Sequence, residues 1–391
     1  MYTRKLVSQL TERMSETRRF IQIVIGPRQT GKTTAVTQAL QATKAPHHYV
    51  SADDPNIISA LWLQNEWEQA RMLAKRADCV LVIDEIQKVK NWSAVVKTLW
   101  DEDTRAGIAL RVILTGSSSL LLHRGMEESL MGRFEVLYCP HWNYHECKEA
   151  FSFTLDQFLY FGGYPGAASL ISDETRWGRY MGTSIVEPTI SQDILMMEEV
   201  RKPALLRALF MLGARYSSQE LSFTKVLGQL QDAGNTVTLS HYLELLSKAN
   251  ILTGLQKYSG TGLKTRKSSP KFMVYDTSLM TYAHGAKRKH LIDNSADRGR
   301  LVESAVGAYL LARGREEGFS VHWWRQRGDE VDFILAKGQE LTAIEVKSGK
   351  TKKLGGSFVF KQKYPKALSL TVGSANLSIE DFLLGKCELF K

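Results

Sequence analysis

"FIQIVIGPRQTGKTT", residues 20–34, decides how the chain begins to fold. An apolar run ends at Gly26, and helix-forming residues resume after Lys32. Between them the spacing is GxxxxGK[ST], strand before and helix after, which is the context a phosphate-binding loop requires. Glycines at both ends let backbone N–H groups turn inward around an anion. The helix that follows adds its positive end. Gly26, Pro27, Arg28, Gln29, Thr30 and Gly31 would form the cradle. Lys32 would reach the terminal phosphates of ATP, Thr33 would offer a hydroxyl to Mg²⁺, and Thr34 completes the nucleotide-binding set.

Such a loop needs an acid on a nearby strand. "CVLVIDE" (79–85) supplies it. Val80–Ile83 reads as a central parallel strand, apolar because both faces are covered. Asp84 and Glu85 stand at its carboxyl end, where open α/β sheets bind ligands. Asp84 would join the magnesium shell, and Glu85 would orient and activate the attacking water. "LRVILTGSSSLLL" (110–122) ends a further strand in small polar residues. There Ser117, or its neighbour Ser118, reads either as a hydrogen-bonding sensor of the terminal phosphate or as a helix cap. Arg133 in "SLMGRFEVLY" is the candidate arginine finger, supplied to a neighbouring subunit's ATP, with a surface salt bridge as the alternative. Arg124 is a weaker candidate for the same role. A finger supplied in trans implies a homo-oligomer, a hexameric ring among the options.

Outward from this core, residues 1–20 read as an amphipathic helix with Leu6, Leu10 and Met14 along one face. Further strand-like runs ("HHYVSA", "FEVLYCP") alternate with helical ones ("TTAVTQALQAT", "NWSAVVKTLW"), the pattern of a parallel α/β sheet. We assign residues 1–150 to this ATPase core and 151–202 to a helical lid or linker containing "FGGYPGAASL". Residues 203–276 hold three helical segments and two β-like runs, the parts of a winged helix. In "TVTLSHYLELLSKANIL", Leu239, Leu243, Leu246 and Ile251 fall at core positions, leaving Ser240, His241 and Lys248 for a surface that could enter a DNA major groove. The loop 254–271 contains Lys257, Lys264, Arg266, Lys267 and Lys271 and no acid, which suits phosphate contacts. "KRKH" (287–290) and "KTKK" (350–353) add basic clusters. A solvated loop or a protein-binding winged helix is the alternative.

Residues 277–391 form the last unit. "GDEVDFILAKGQELTAIEVKSGK" (328–350) reads as a hairpin in which Ala343, Glu345 and Lys347 share one face. Antiparallel pairing would bring Asp332 to that face, and Glu303 lies on the helix "LVESAVGAYLL". An acid on a helix, an Asp, then Glu-x-Lys is the PD-(D/E)xK nuclease arrangement. Asp332, Glu345 and Glu303 could hold Mg²⁺, and Lys347 could position water or offset developing charge. The alternative is a hairpin whose Glu and Lys pair with neighbours. Arg325 and Arg327 could touch a substrate phosphate, while Trp323 and Trp324 suit a core.

Composition is compatible with all of this. The chain has 391 residues, 43% hydrophobic and 24% charged, with a formal net charge of +10. That length predicts roughly two to three domains, and the charge favours a polyanionic partner, DNA. No segment approaches the ~20 apolar residues of a membrane span. The amino-terminal stretch lacks a signal-peptide pattern. The four cysteines show no zinc-ligand spacing and suit a reducing compartment, so the expected location is cytoplasmic with no membrane partner.

Taken together, "GPRQTGKTT", "SADDP", "LVIDEIQKV", "LTGSSSLLL", "LMGR", "FGGYPGA" and "VESAVGAYLL…EVDFIL…IEVKSG" resemble, in order across nearly the whole chain, the bacterial and archaeal AAA+-superfamily ATPases that carry a carboxy-terminal DUF4143 domain. The resemblance implies an ATPase core, a winged helix and a nuclease-like carboxy-terminal fold. The expected activity is an ATP-dependent DNA-processing enzyme: an oligomeric ATPase that binds or remodels DNA, forked or branched DNA included, with metal-dependent cleavage as an added activity. The alternatives are an ATP-gated switch, scaffold or defence protein with an inactive nuclease-like domain, and a winged-helix regulator.

Overall fold

The computed structural model describes residues 2–53, 59–75, 77–116, 129–195, 200–230, 235–260, 269–348 and 355–390. They fall into two compact units, Met1–Pro140 and His141–Lys391. The candidates Ser117, Ser118, Arg124, Lys264, Arg266 and Lys267 and the 350–353 cluster lie outside the described residues.

The first unit is a five-stranded parallel sheet. Its strands are β1 (Ile21–Ile25), β2 (His47–Ser51), β3 (Val80–Asp84), β4 (Arg111–Gly116) and β5 (Phe134–Tyr138), ordered β2-β3-β4-β1-β5. The two-residue period of a strand sorts the side chains into two layers. Ile21, Ile23, Ile25, Leu81, Ile83, Val112 and Leu114 pack with Leu63 and Trp67 of helix α3 (Ala60–Ala74) and Val96 and Trp100 of α4 (Trp92–Ala106). Val24, Val80, Val82 and Ile113 face the other way. They meet Leu6, Leu10 and Met14 of α1 (Lys5–Ser15) and Val36 and Leu40 of α2 (Lys32–Thr43). Covering both faces explains why these strands read as continuous apolar runs. α1 carries the expected face: Leu6, Leu10 and Met14 are buried.

In the second unit, two short helices open with capping boxes, α5 (Tyr144–Phe151) from Asn143 and α6 (Leu155–Phe161) from Thr154. After α6 comes "FGGYPGA". Gly162 has φ +67°, and a Cβ there would fall 1.8 Å from Asp276 Oδ1; at Gly163 it would fall 2.0 Å from the Trp142 carbonyl. The glycine pair lets the main chain reach the buried Asp276, which accepts Gly163 N–H at 2.7 Å and Ser278 N–H at 2.9 Å. After α7 (Glu174–Tyr180) come α8 (Pro203–Arg215), α9 (Phe223–Gln229) and α10 (Thr236–Lys248). They precede an antiparallel ribbon of β6 (Leu252–Leu255) and β7 (Lys271–Val274). On α10 and just beyond it, Leu239, Leu243, Leu246 and Ile251 are buried and Ser240, His241 and Lys248 exposed, as their spacing predicts.

Next come α11 (Thr277–His284), α12 (Arg288–Asp293) and the long α13 (Ser295–Glu317). A four-stranded sheet follows, ordered β11-β10-β9-β8, from β8 (Ser320–Gln326), β9 (Asp329–Lys337), β10 (Glu340–Val346) and β11 (Leu368–Val372). The pairs β8/β9 and β9/β10 are antiparallel; β10/β11 is parallel and joined through α14 (Gly356–Lys363). Arg327 and Gly328 link β8 to β9 with φ +51° and +95°, the positive values a two-residue I′ turn needs. No helix among the described residues is long and apolar enough to cross a membrane.

Candidate functional site

The loop after β1 closes as its glycines require. Gly31 has φ +90°, open to glycine, and a Cβ on Gly26 would fall 2.1 Å from the Cys139 carbonyl. Arg4, buried at the start of α1, supports the loop from behind: its Nη1 donates to the Thr30 carbonyl at 3.0 Å and to the Pro140 carbonyl at 3.1 Å. Lys32 is buried, and its Nζ donates to the carbonyls of Gly26 at 3.0 Å and Pro27 at 2.7 Å. The loop thus folds around its own lysine.

Sheet order carries Asp84 to the same place. Thr33 lies in the first turn of α2, Asp84 ends β3, and Thr33 Oγ1 donates to Asp84 Oδ2 at 2.9 Å. The strand between them contributes too: β4 lies between β1 and β3, and Thr115 near its carboxyl end donates its hydroxyl to Asp84 Oδ1. Tyr49 of β2 donates to Asp84 Oδ2 at 2.8 Å, and the Glu85 amide donates to Oδ1 at 3.1 Å. Three hydroxyls and one amide therefore converge on one carboxylate that is 6% exposed. Burial first, and the Asp84 carboxylate second, push the Tyr49 hydroxyl well above the usual phenol range.

Glu85 sits in the left-handed region at φ +54°, a strained position for a residue with a Cβ. Its carboxylate accepts from the Gln87 side-chain amide. Tyr49, Thr115 and Gln87 are not among the sequence candidates; Thr115 and Gln87 stand at or just past a strand's carboxyl end, whereas Tyr49 lies mid-strand and no local pattern marks it. The fit to Mg²⁺ is good. A threonine hydroxyl and a carboxylate, adjacent and hard, are the oxygen donors that ion takes alongside nucleotide phosphates. Arg133 forms a two-point pair with Asp101 of α4, at 2.7 and 3.0 Å. The arginine is engaged within its own chain.

The second candidate cluster lies in the carboxy-terminal unit. The β9/β10 register pairs Phe333 with Ile344, so its continuation sets Asp332 opposite Glu345. Asp332 Oδ2 accepts the Val346 amide at 2.8 Å, and Glu345 Oε1 accepts the Ser357 amide at 2.7 Å. Glu303 projects from α13 toward Asp332, but a lysine stands between them. Lys271 Nζ lies 2.5 Å from Glu303 Oε1, 3.3 Å from Glu330 Oε1 and 3.7 Å from Asp332 Oδ1. Lys271 is 1% exposed. This corrects its reading as a phosphate-contacting lysine of a basic loop: it is buried, and its partners are carboxylates.

Burial alone would lower the Lys271 ammonium, but Glu303, Asp332 and Glu330 more than reverse that and hold it charged. For Glu303 and Asp332, burial and the neighbouring acids push upward and outweigh Lys271. The donor types suit Mg²⁺, but the arrangement does not, because a fixed cation already occupies the point where three carboxylates meet. Among the described residues no group of three or more His, Cys, Asp or Glu side chains is arranged to hold a metal. Lys347 is half-buried just past β10, with its amide bonded to the Val372 carbonyl at 2.8 Å. Trp323 and Trp324 are buried, as expected, and Arg325 is paired with Glu220 at 2.7 Å and with Glu330.

Residues 18–148 match the family described as AAA domain, and residues 298–385 match the domain of unknown function DUF4143. The chain is an AAA-domain protein with a carboxy-terminal DUF4143 domain. Between them, residues 152–290 match a further domain of unknown function, DUF8612. The relatives are distant. A protein of Methanocaldococcus jannaschii is 24% identical over 355 residues, covering 85% of this chain and 76% of its own. One of Haemophilus influenzae is 22% identical over 347 residues, with 84% and 82% covered. One of Mycobacterium tuberculosis is 26% identical over 340 residues, with 86% and 72% covered. All three carry the name uncharacterized protein. The AAA domain supports a nucleotide-dependent activity.

Proposed function

We propose that this AAA-domain protein hydrolyses ATP and uses the turnover to act on DNA. The observation that carries the ATPase reading is the 2.9 Å contact between Thr33 Oγ1 and Asp84 Oδ2, side chains separated by 51 residues and brought together at one end of the parallel sheet. In this reading Lys32 leaves the Gly26 and Pro27 carbonyls for the terminal phosphates. Thr33 and Asp84 hold Mg²⁺, which supplies charge neutralisation at the phosphates. Glu85 orients the attacking water, and Gln87 holds its carboxylate until then. The DNA part draws on the net charge of +10 and on the exposed face Ser240–His241–Lys248 of α10. A homo-oligomer, with residues 203–276 acting as a winged helix, belongs to this proposal.

A second reading is an ATP-gated switch or scaffold whose nuclease-like carboxy-terminal fold performs no hydrolysis. The Lys271 ion cluster favours it over the cleaving enzyme. One assay distinguishes the readings: ATP turnover by the full chain, alone and with single-stranded, duplex and forked DNA, beside Lys32→Ala. Turnover that DNA stimulates and K32A abolishes supports the first reading. Turnover indifferent to every DNA supports the second. A K32A protein as active as wild type would sink both.

A further inference from the structure

The lysine among the carboxylates has a geometry of its own. Three carboxylates, of Glu303, Glu330 and Asp332, stand 2.5, 3.3 and 3.7 Å from this one ammonium. The cluster does not stop there. Arg325 bridges Glu330 to Glu220, so alternating charges run from the segment before α9, through β8 and β9, to the long helix α13. Burying a lysine is unfavourable unless it is paired and hydrogen-bonded; here Nζ donates to Glu330 Oε1 at 3.3 Å and forms ion pairs with Glu303 and Asp332. Two further carboxylate oxygens here are committed as well: Asp332 Oδ2 to the Val346 amide and Glu345 Oε1 to the Ser357 amide. A divalent ion would have to enter against a fixed positive charge and displace it.

The same surface carries other ties to the helices and ribbon of residues 203–274. Tyr258 N–H donates to the Trp323 carbonyl at 2.7 Å, continuing from β6 onto β8. Ser217 and Ser304 hydroxyls meet at 2.8 Å. Gly307 of α13 lets Met273 approach so closely that a Cβ would lie 2.5 Å from its sulfur. Lys271 and Met273 belong to the ribbon, and Ser217 to the turn that follows α8.

We propose that the Glu303–Glu330–Asp332 cluster is built to receive the ammonium of Lys271 and not a divalent ion, so that the carboxy-terminal sheet is the dock of the 203–274 helix–ribbon layer and not a hydrolytic centre. The internal cation plays the role a metal plays in hydrolytic acid clusters, neutralising charge, but it supplies no open coordination position and activates no water.

The test uses the full chain without nucleotide. Mn²⁺ bound per chain is counted by electron paramagnetic resonance in wild type and in Asp332→Asn, an isosteric change that keeps an acceptor for the Val346 amide. Equal counts are expected. One equivalent fewer in D332N would show a metal ligand and overturn the proposal. In parallel, thermal midpoints are compared for wild type, Lys271→Met, Glu303→Gln and the double variant. K271M is expected to lose several degrees, and E303Q introduced into K271M is expected to recover part of that loss, because it removes an uncompensated buried charge. Simple additivity of the two losses would overturn the dock. Should K271M fail to fold, the D332N count alone decides.

Discussion

Replacing Asp84 by Asn separates what this side chain does for the fold from what it does for ATP. Four donors meet the carboxylate: the hydroxyls of Thr33, Tyr49 and Thr115 and the amide of Glu85. The Glu85 amide can only donate, so the asparagine oxygen must face it and Thr115. The asparagine nitrogen then faces Thr33 and Tyr49, whose hydroxyls can turn and accept. All four contacts survive in neutral form. Each charge-assisted bond that becomes neutral loses about 1 kcal/mol. Against this, a nearly buried carboxylate no longer has to be desolvated, a gain of about the same total. The two nearly cancel, so D84N should unfold in urea within about 2 kcal/mol of wild type. Catalysis has no such compensation. Losing the one formal charge on the ion's protein side should remove several kcal/mol of charge stabilisation, and about 3–4 kcal/mol means roughly 10²–10³-fold slower turnover. Unfolding curves and steady-state phosphate release, measured on the same preparation, check both halves. A folded D84N that turns over ATP within about threefold of wild type refutes the assignment of Asp84 to the metal shell.

Three further outcomes follow from named contacts. Glu85→Gln should lower turnover by about 10²–10⁴-fold while nucleotide binding, read by equilibrium dialysis, is retained, since the side chain is assigned to water and not to phosphate. Gly163→Ala should destabilise the second unit by about 2–4 kcal/mol in chemical denaturation, because its Cβ would sit 2.0 Å from the Trp142 carbonyl. Burial, partly offset by the Ser278 and Gly163 hydrogen bonds, pushes Asp276 up to about 6 from 3.8. Between those values the native state holds a proton that the unfolded state has released, so this group's contribution to stability falls as pH rises from 3.8 to about 6 and is level above. The difference between wild-type and Asp276→Asn unfolding free energies across a pH series should show that slope; a flat difference would contradict it.

The amino-terminal site was legible because its information is local. The glycines, Lys32 and Thr33 lie within one loop, and Asp84 is announced by the apolar run that precedes it. Tyr49 was not legible, since its value depends on β2 lying beside β3 with Ser51 paired to Asp84, a register no short motif states. Thr115 depends in the same way on β4 entering between β1 and β3. In the carboxy-terminal unit the residue types were read well and their partner was not. An acid on a helix, an Asp and a Glu on facing strands are where the sequence suggested, but those types serve a metal site and a buried ion cluster equally. The lysine decides between them, and the sequence offers two. Lys347 has the motif spacing. Lys271 looks like one more cation in a basic loop, except that it heads the apolar strand "KFMV" immediately after Pro270. A lysine at the first position of a strand whose four residues are all buried cannot reach solvent without undoing the ribbon. It must therefore find acids inside the fold, and in this chain the acids it finds, 32 to 61 residues further on, are the ones that a hydrolytic site would need free.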